Sequence, residues 1–276
     1  MDELYVLARE VLLDALEAVG THRDAIILVG AQAIYLHVGE TDLAVAPYTT
    51  DADLALNPAL LAEIPPLEQM LLKAGFVQKT KDVVGVWITH RRTSQQPNVE
   101  VAVDILVPES VSPGKGRRAA KLPGHSANAA RIVKGLEGAL VDAQVMRISS
   151  LEVAIDARTF DIRVAGPAAL LVAKLHKIQD RQGTPRQGDK DALDIFRLLR
   201  GISTKALSDR YKLILGDKRS RDVSEAALSL LGQQFTSESS VGVQMILRAI
   251  GSLADPKEIA ASCKILATDL LDAVEK

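Results

Sequence analysis

Asp51 and Asp53 stand two residues apart in an otherwise apolar run, Thr50-Asp51-Ala52-Asp53-Leu54. In an extended strand alternate side chains share a face, so both carboxylates point the same way. Like charges placed so repel each other unless a cation lies between them. Their oxygens are the hard ligands that Mg²⁺ takes, and Mg²⁺ commonly arrives with substrate phosphates. A third carboxylate, Asp104, lies toward the end of a second strand-like run, Val99 to Val107. Alternation puts Glu100 on the same face, so Glu100 and Asp104 are rivals for the third position. Three such acids suit metal-assisted transfer of a phosphate-containing group, in which two metals lie about 3.5–4 Å apart.

Other residues could meet the phosphates. Gly30 ends the apolar run from Ala25 and opens a short helical pattern, Ala31 to Val38. A glycine there lets the backbone approach a triphosphate, with the N–H groups of residues 31 to 33 facing it. Lys174 sits four residues after Leu170 on a partly apolar helix face. A lysine so placed either snorkels to water or reaches a phosphate, and Lys177 is its rival one turn further on. Asp191 and Asp194 share a face in the first turns of another helix, where acids also complement the helix dipole.

A glycine after an apolar run, an Asp-apolar-Asp strand and a later Asp on a neighbouring strand resemble the nucleotidyltransferase superfamily. Ala31 stands where that family usually has a second Gly or Ser, and the gap from Gly30 to Asp51 is longer than usual. Downstream, Ala169 to Lys177, Asp180-Arg181 and Lys190-Asp191-Ala192-Leu193-Asp194-Ile195 look like the later motifs of the AbiEii-type nucleotidyltransferases. These include the MenT-type toxins that add nucleotides to transfer RNA. The two blocks cover roughly residues 25 to 200.

The resemblance implies an enzyme that uses Mg²⁺ and an NTP. Its acceptor would be the 3′ end of tRNA, and it would be the toxin of a pair with a cognate antitoxin protein. Asp51, Asp53, Asp104, Lys174 and Asp191 form the expected catalytic set, with the first three on metal. Gly30, Ala31, Thr50, Lys174, Lys177 and Asp194 form the expected nucleotide-binding set. Two rival readings stand beside this one. The same chemistry could act on a small-molecule or protein hydroxyl. Alternatively the motifs could be degenerate, leaving a nucleotide-binding interaction protein; Ala31 and the long Gly30–Asp51 gap favour that reading.

The charge distribution agrees with an RNA acceptor. Net charge is −2, yet residues 1–110 hold 7 Lys/Arg against 16 Asp/Glu, and residues 111–222 hold 22 against 12. A basic band of this kind suggests a polyanionic partner. Arg117, Arg118, Lys121, Arg131 and Lys134 could track an RNA backbone. Gly114-Lys115-Gly116-Arg117-Arg118 lacks the Gly-Lys-Ser/Thr ending of an ATPase P-loop. The five histidines and Cys263 have no metal-ligand spacing. One cysteine, no basic-apolar leader after Met1 and no run long enough to span a bilayer lead to the expectation of a cytoplasmic chain without a membrane partner.

These residues need elements to hold them. The spacing predicts a helix over 3–19, a strand over Ile26–Val29, a helix over 31–38 and a strand over 50–56. Asn57-Pro58 reads as the start of a helix running to about Ala74, interrupted by Pro65-Pro66. Val83–His90 and Val99–Val107 read as a hairpin, and Ala139–Ile148 and Val153–Val164 as further strands. Helices follow from Pro167, then over about 189–200, 203–215, 222–234, 241–252 and 256–274. The fold class expected is α+β: a nucleotidyltransferase-like mixed sheet flanked by helices, then a C-terminal helical domain. The boundary falls at 165/166, with residues 1–165 catalytic and 166–276 helical and completing the active site.

Overall fold

A computed structural model describes residues 2–39, 45–46, 48–80, 83–112, 118–182 and 188–276. Asp2 caps the first helix, α1 (Glu3–Ala18), its carboxylate accepting from the N–H groups of Leu4 and Tyr5. Such a cap satisfies donors that the first turn leaves orphaned. The apolar side of α1 packs on the strands below, with Val11, Leu12, Leu13, Ala15 and Leu16 wholly buried. Strand β1 (Ile26–Val29) leads directly into α2 (Gly30–Val38), and β2 (Asp51–Leu56) follows. Then come α3 (Leu67–Lys73), β3 (Val77–Thr80), β4 (Val83–Arg91), β5 (Val99–Pro108), β6 (Arg131–Val133), β7 (Ala143–Ser149) and β8 (Thr159–Ala165). The rest is helical: α4 (Pro167–Arg181), α5 (Asp189–Gly201), α6 (Thr204–Gly216), α7 (Arg221–Phe235), α8 (Val241–Ile250) and α9 (Pro256–Glu275).

Among the described residues eight strands form one mixed sheet in the order β3-β4-β5-β2-β1-β8-β7, with β6 beside β5. The β4–β5 hairpin is antiparallel, as expected. β2 runs parallel to β5 and antiparallel to β1. β1 is buried on both faces, which explains its uninterrupted apolar sequence. The α+β layout read from the sequence is the layout observed.

The chain separates into two compact units. The first comprises Met1–Gln32, Tyr48–Val133 and Ala143–Val164 and holds the sheet. The second comprises Ala33–Pro47, Lys134–Asp142 and Ala165–Lys276. In it α4 packs on α5, α6 and α7, and α5 packs on α8 and α9. Among the described residues no helix is long and apolar enough to cross a membrane.

Three local expectations are corrected. No helix starts at Asn57; its side chain instead accepts from the Ala59 N–H in a turn, and α3 begins only at Leu67. A residue before proline is pushed toward extended backbone, so Pro65 leaves too few residues after Pro58 to nucleate a helix. The strand expected from Ala139 starts at Ala143, because Glu137–Leu140 form a 3₁₀ turn. There the Asp142 carboxylate turns toward the N–H of Ala169 and the guanidinium of Arg210. The strand expected from Val153 starts at Thr159, after a turn in which the Ile155 and Asp156 N–H groups donate to the Glu152 carbonyl. The short strands β3 and β6 have too few residues to show a period.

Candidate active site

In the first unit the parallel register of β2 and β5 sets Asp53 directly beside Asp104 and Asp51 beside Ala102. Paired residues on neighbouring strands project to the same face, so the three aspartates share one face of the sheet. Each is half-buried; Asp53 and Asp104 lie between buried strand neighbours, and Asp51 opens β2 beside buried Ala52. Glu100 lies near the start of β5, is exposed, and receives a 2.7 Å ion pair from Lys79. The register therefore puts Asp104, and not Glu100, next to the Asp-Ala-Asp strand.

Several residues hold these acids. β1 pairs Val29 with Asp53, and the chain turns at Gly30 into α2. Gly30 has φ +73°, and a Cβ built there would lie 2.0 Å from Oδ2 of Asp53. Glycine is thus required both by the backbone and by the carboxylate that packs on it. The positive end of the α2 dipole faces that acid. Ala31 is buried behind it. Thr49 is buried and its hydroxyl donates to Oδ1 of Asp51 at 2.5 Å, whereas Thr50 is exposed. On β6 the guanidinium of Arg131 donates to Oδ2 of Asp104. Arg131 was expected among the cations that track RNA; the structure instead commits it to Asp104.

The electrostatics follow from this crowding. Burial first, and then the neighbouring Asp53, push the Asp104 carboxyl up to about 6, against the pull of Arg131. A hard-oxygen donor set with mutual repulsion is chemically suited to a divalent cation. Among the described residues, however, no group of three His, Cys, Asp or Glu side chains is already arranged to hold a metal ion. The donors fit in type and face, while Asp104 is turned to Arg131 and Asp51 to Thr49.

The second unit holds a buried ion network. Lys174 on α4 is only 4% exposed, and its ammonium donates to Asp191 at 2.8 Å and to Asp194 at 2.7 Å. Lys177 reaches Asp191 at 3.5 Å, Arg181 pairs with Asp191, and Arg197 pairs with Asp194 at 3.0 Å. Burial alone would raise the Asp191 carboxyl, but the charges of Lys174 and Lys177 win and hold it well below the usual range. Burial would likewise lower Lys174, and its two aspartates hold it above the usual lysine value. Among the described residues, four cations surround these two acids. Lys174 neither snorkels nor presents a free ammonium to a phosphate in this arrangement, whereas Lys177 keeps 38% of its side chain exposed and Arg181 28%. Neither aspartate caps α5, whose N-cap is Gly188 without a side-chain bond.

Sequence reasoning missed the bonds of Thr49 to Asp51 and of Arg131 to Asp104, and the buried pair in which Arg9 donates to Gln32. Gln32 left a faint signal, as a polar residue on an otherwise apolar stretch of helix, whereas Arg9 stands beside Glu10 and left none. Of the basic loop, Gly114, Lys115, Gly116 and Arg117 lie outside the described residues, while Arg118 and Lys121 are exposed. Four of the histidines bond to main-chain carbonyls: His22 to Pro65, His37 to Ala165, His125 to Ala62 and His176 to Val223.

A nucleotidyltransferase family model matches residues 9–209, a span that takes in Gly30, the three aspartates and the Lys174 network. The chain belongs to this nucleotidyltransferase family and is an enzyme of that class. Among solved structures it is similar to an antigenic nucleotidyltransferase-like protein from Paracoccidioides brasiliensis, with 16% identity over 84% of this chain and 88% of that one and a TM-score of 0.43. No curated protein matches the sequence.

Proposed function

We propose that the chain transfers a nucleoside monophosphate from an NTP to the 3′ end of tRNA, with Mg²⁺, as the toxin of an AbiE-type toxin–antitoxin pair. The observation that carries the chemistry is the shared face of Asp51, Asp53 and Asp104, with Asp53 and Asp104 paired across β2 and β5. Those three carboxylates would hold the cation. When bound, Mg²⁺ neutralises triphosphate charge and acidifies the attacking hydroxyl. The chain's own part is to orient the acids: Gly30 makes room for Asp53, Thr49 fixes an oxygen of Asp51, and Arg131 fixes one of Asp104. Asp104 would accept the hydroxyl proton, or would be the ligand through which the metal lowers that hydroxyl's pKa. Of the four cations around Asp191 and Asp194, Lys177 and Arg181 keep part of their side chains exposed, and a phosphate contact in the helical unit would fall to them. The basic band over residues 111–222 favours RNA over a small acceptor.

The test is to incubate the protein with each labelled NTP, Mg²⁺ and total RNA. Label should enter tRNA, and Asp51→Asn or Asp53→Asn should abolish it without lowering the melting temperature, because removing like charges does not destabilise the metal-free fold. Normal transfer by the double variant would overturn the carboxylate reading. Label entering a small hydroxyl compound or a protein instead of RNA would keep the chemistry and overturn the acceptor.

A further inference from the structure

Gln32 is 1% exposed, and its amide makes three buried or part-buried hydrogen bonds that use both of its donors. Its Oε1 accepts from Nε of Arg9 at 2.8 Å. Its Nε2 donates to two main-chain carbonyls, Ala8 and Asp51, each at 3.1 Å. Arg9 is itself 4% exposed, and its Nη1 donates to the Ser149 carbonyl at 3.0 Å. The orientation of the amide is settled by its partners. A guanidinium can only donate and a carbonyl can only accept, so a flipped amide would lose all three bonds. The network thus ties α1, the first turn of α2 and the end of β7 to the backbone of one residue on β2, and that residue is Asp51. A buried network of this kind specifies geometry more than it adds stability.

We propose that Gln32, aimed by Arg9, is a positioning residue that sets the Asp51 carboxylate for the divalent cation. This rests on the carboxylate reading above. Thr49 restrains an oxygen of Asp51, and Gln32 restrains its main chain, so the side chain leaves β2 in one direction. Groups that hydrogen-bond around metal-holding residues tune affinity without touching the ion.

The test is Mn²⁺ binding to the full chain, followed by electron paramagnetic resonance of the free ion, beside melting temperature and transfer activity. Gln32→Glu keeps an oxygen for Arg9 and loses both donors. Gln32→Met is neutral and controls for the added charge. Leu12→Ala, in the α1 core, controls for lost stability alone. Asp51→Asn should abolish strong Mn²⁺ binding. Both Gln32 variants should weaken it about tenfold or more, with transfer lost at low metal and recovered at high metal. Leu12→Ala should melt earlier with unchanged Mn²⁺ affinity. Unchanged affinity in both Gln32 variants, with Asp51→Asn still defective, overturns the positioning role and leaves the carboxylate reading standing. Unchanged affinity in Asp51→Asn, or no Mn²⁺ binding by the wild type, overturns that reading and this proposal together.

Discussion

Asp104 carries the clearest pH dependence in the sheet. Its carboxyl is pushed up to about 6 by burial and by Asp53, from an ordinary 3.8. A carboxyl raised on folding favours the folded state while protonated. That contribution is fully present below 3.8 and is lost as pH rises through about 6. Asp104→Asn should remove it. The stability of wild type relative to Asp104→Asn, from urea midpoints, should fall by about 1.4 kcal/mol for each pH unit between those two values. Parallel curves for the two proteins across that window would show that the carboxyl is not raised. Gly30 supports a second prediction. Gly30→Ala costs about 1–2 kcal/mol for the left-handed backbone, and the new methyl must also displace the Asp53 carboxylate. Gly39 has φ +59° with nothing within 4 Å, so Gly39→Ala meets only the backbone cost. Gly30→Ala should therefore melt lower than Gly39→Ala and lose transfer.

A buried ion network joins α4 to α5. Both helices were legible from periodicity, but the depth of Lys174 was not. An apolar stripe with one lysine reads the same whether that lysine reaches water or a partner on the next helix. Lys174→Ala leaves Asp191 and Asp194 buried with one cation fewer, which should destabilise the protein by roughly 3–5 kcal/mol. Lys177→Ala removes a half-exposed partner and should leave the melting temperature nearly unchanged, since exposed pairs contribute about 0–1 kcal/mol, while raising the KM for NTP. The reverse ranking in thermal melts and kinetics would return the phosphate contact to Lys174. The depressed Asp191 carboxyl stabilises the fold above the ordinary carboxylate value of 3.8, and that contribution is lost as pH falls below it.

At the scale of the whole molecule the prediction concerns RNA. A polyanion bound through the basic band releases counterions, so the logarithm of the affinity should fall linearly with the logarithm of salt concentration. Charge reversal at Arg118 and Lys121, both exposed, should weaken tRNA binding. It should also reduce the salt slope by about 1 for each phosphate no longer neutralised. Filter retention of tRNA across a salt series measures both. A flat series for the wild type would remove tRNA as the acceptor. Arg131 is left out of that reversal, because its guanidinium donates to Asp104 and the change would disturb the acids as well.

What the sequence determined by itself was local. Alternation placed Asp51 and Asp53 on one face, an apolar run marked β1, and helical periods marked α4 to α9, because these patterns are fixed by neighbours one to four residues away. The class of chemistry followed from those residues. Which acid lies beside the Asp-Ala-Asp strand was decided only by tertiary structure. Glu100 and Asp104 are equivalent by alternation, and the register of β5 against β2, a pairing about fifty residues apart, separates them. The same holds for Arg131 on Asp104, for Arg9 and Gln32 on the backbone of Asp51, and for the burial of Lys174. Each is a contact between residues distant in the chain, and no local period encodes where such partners meet.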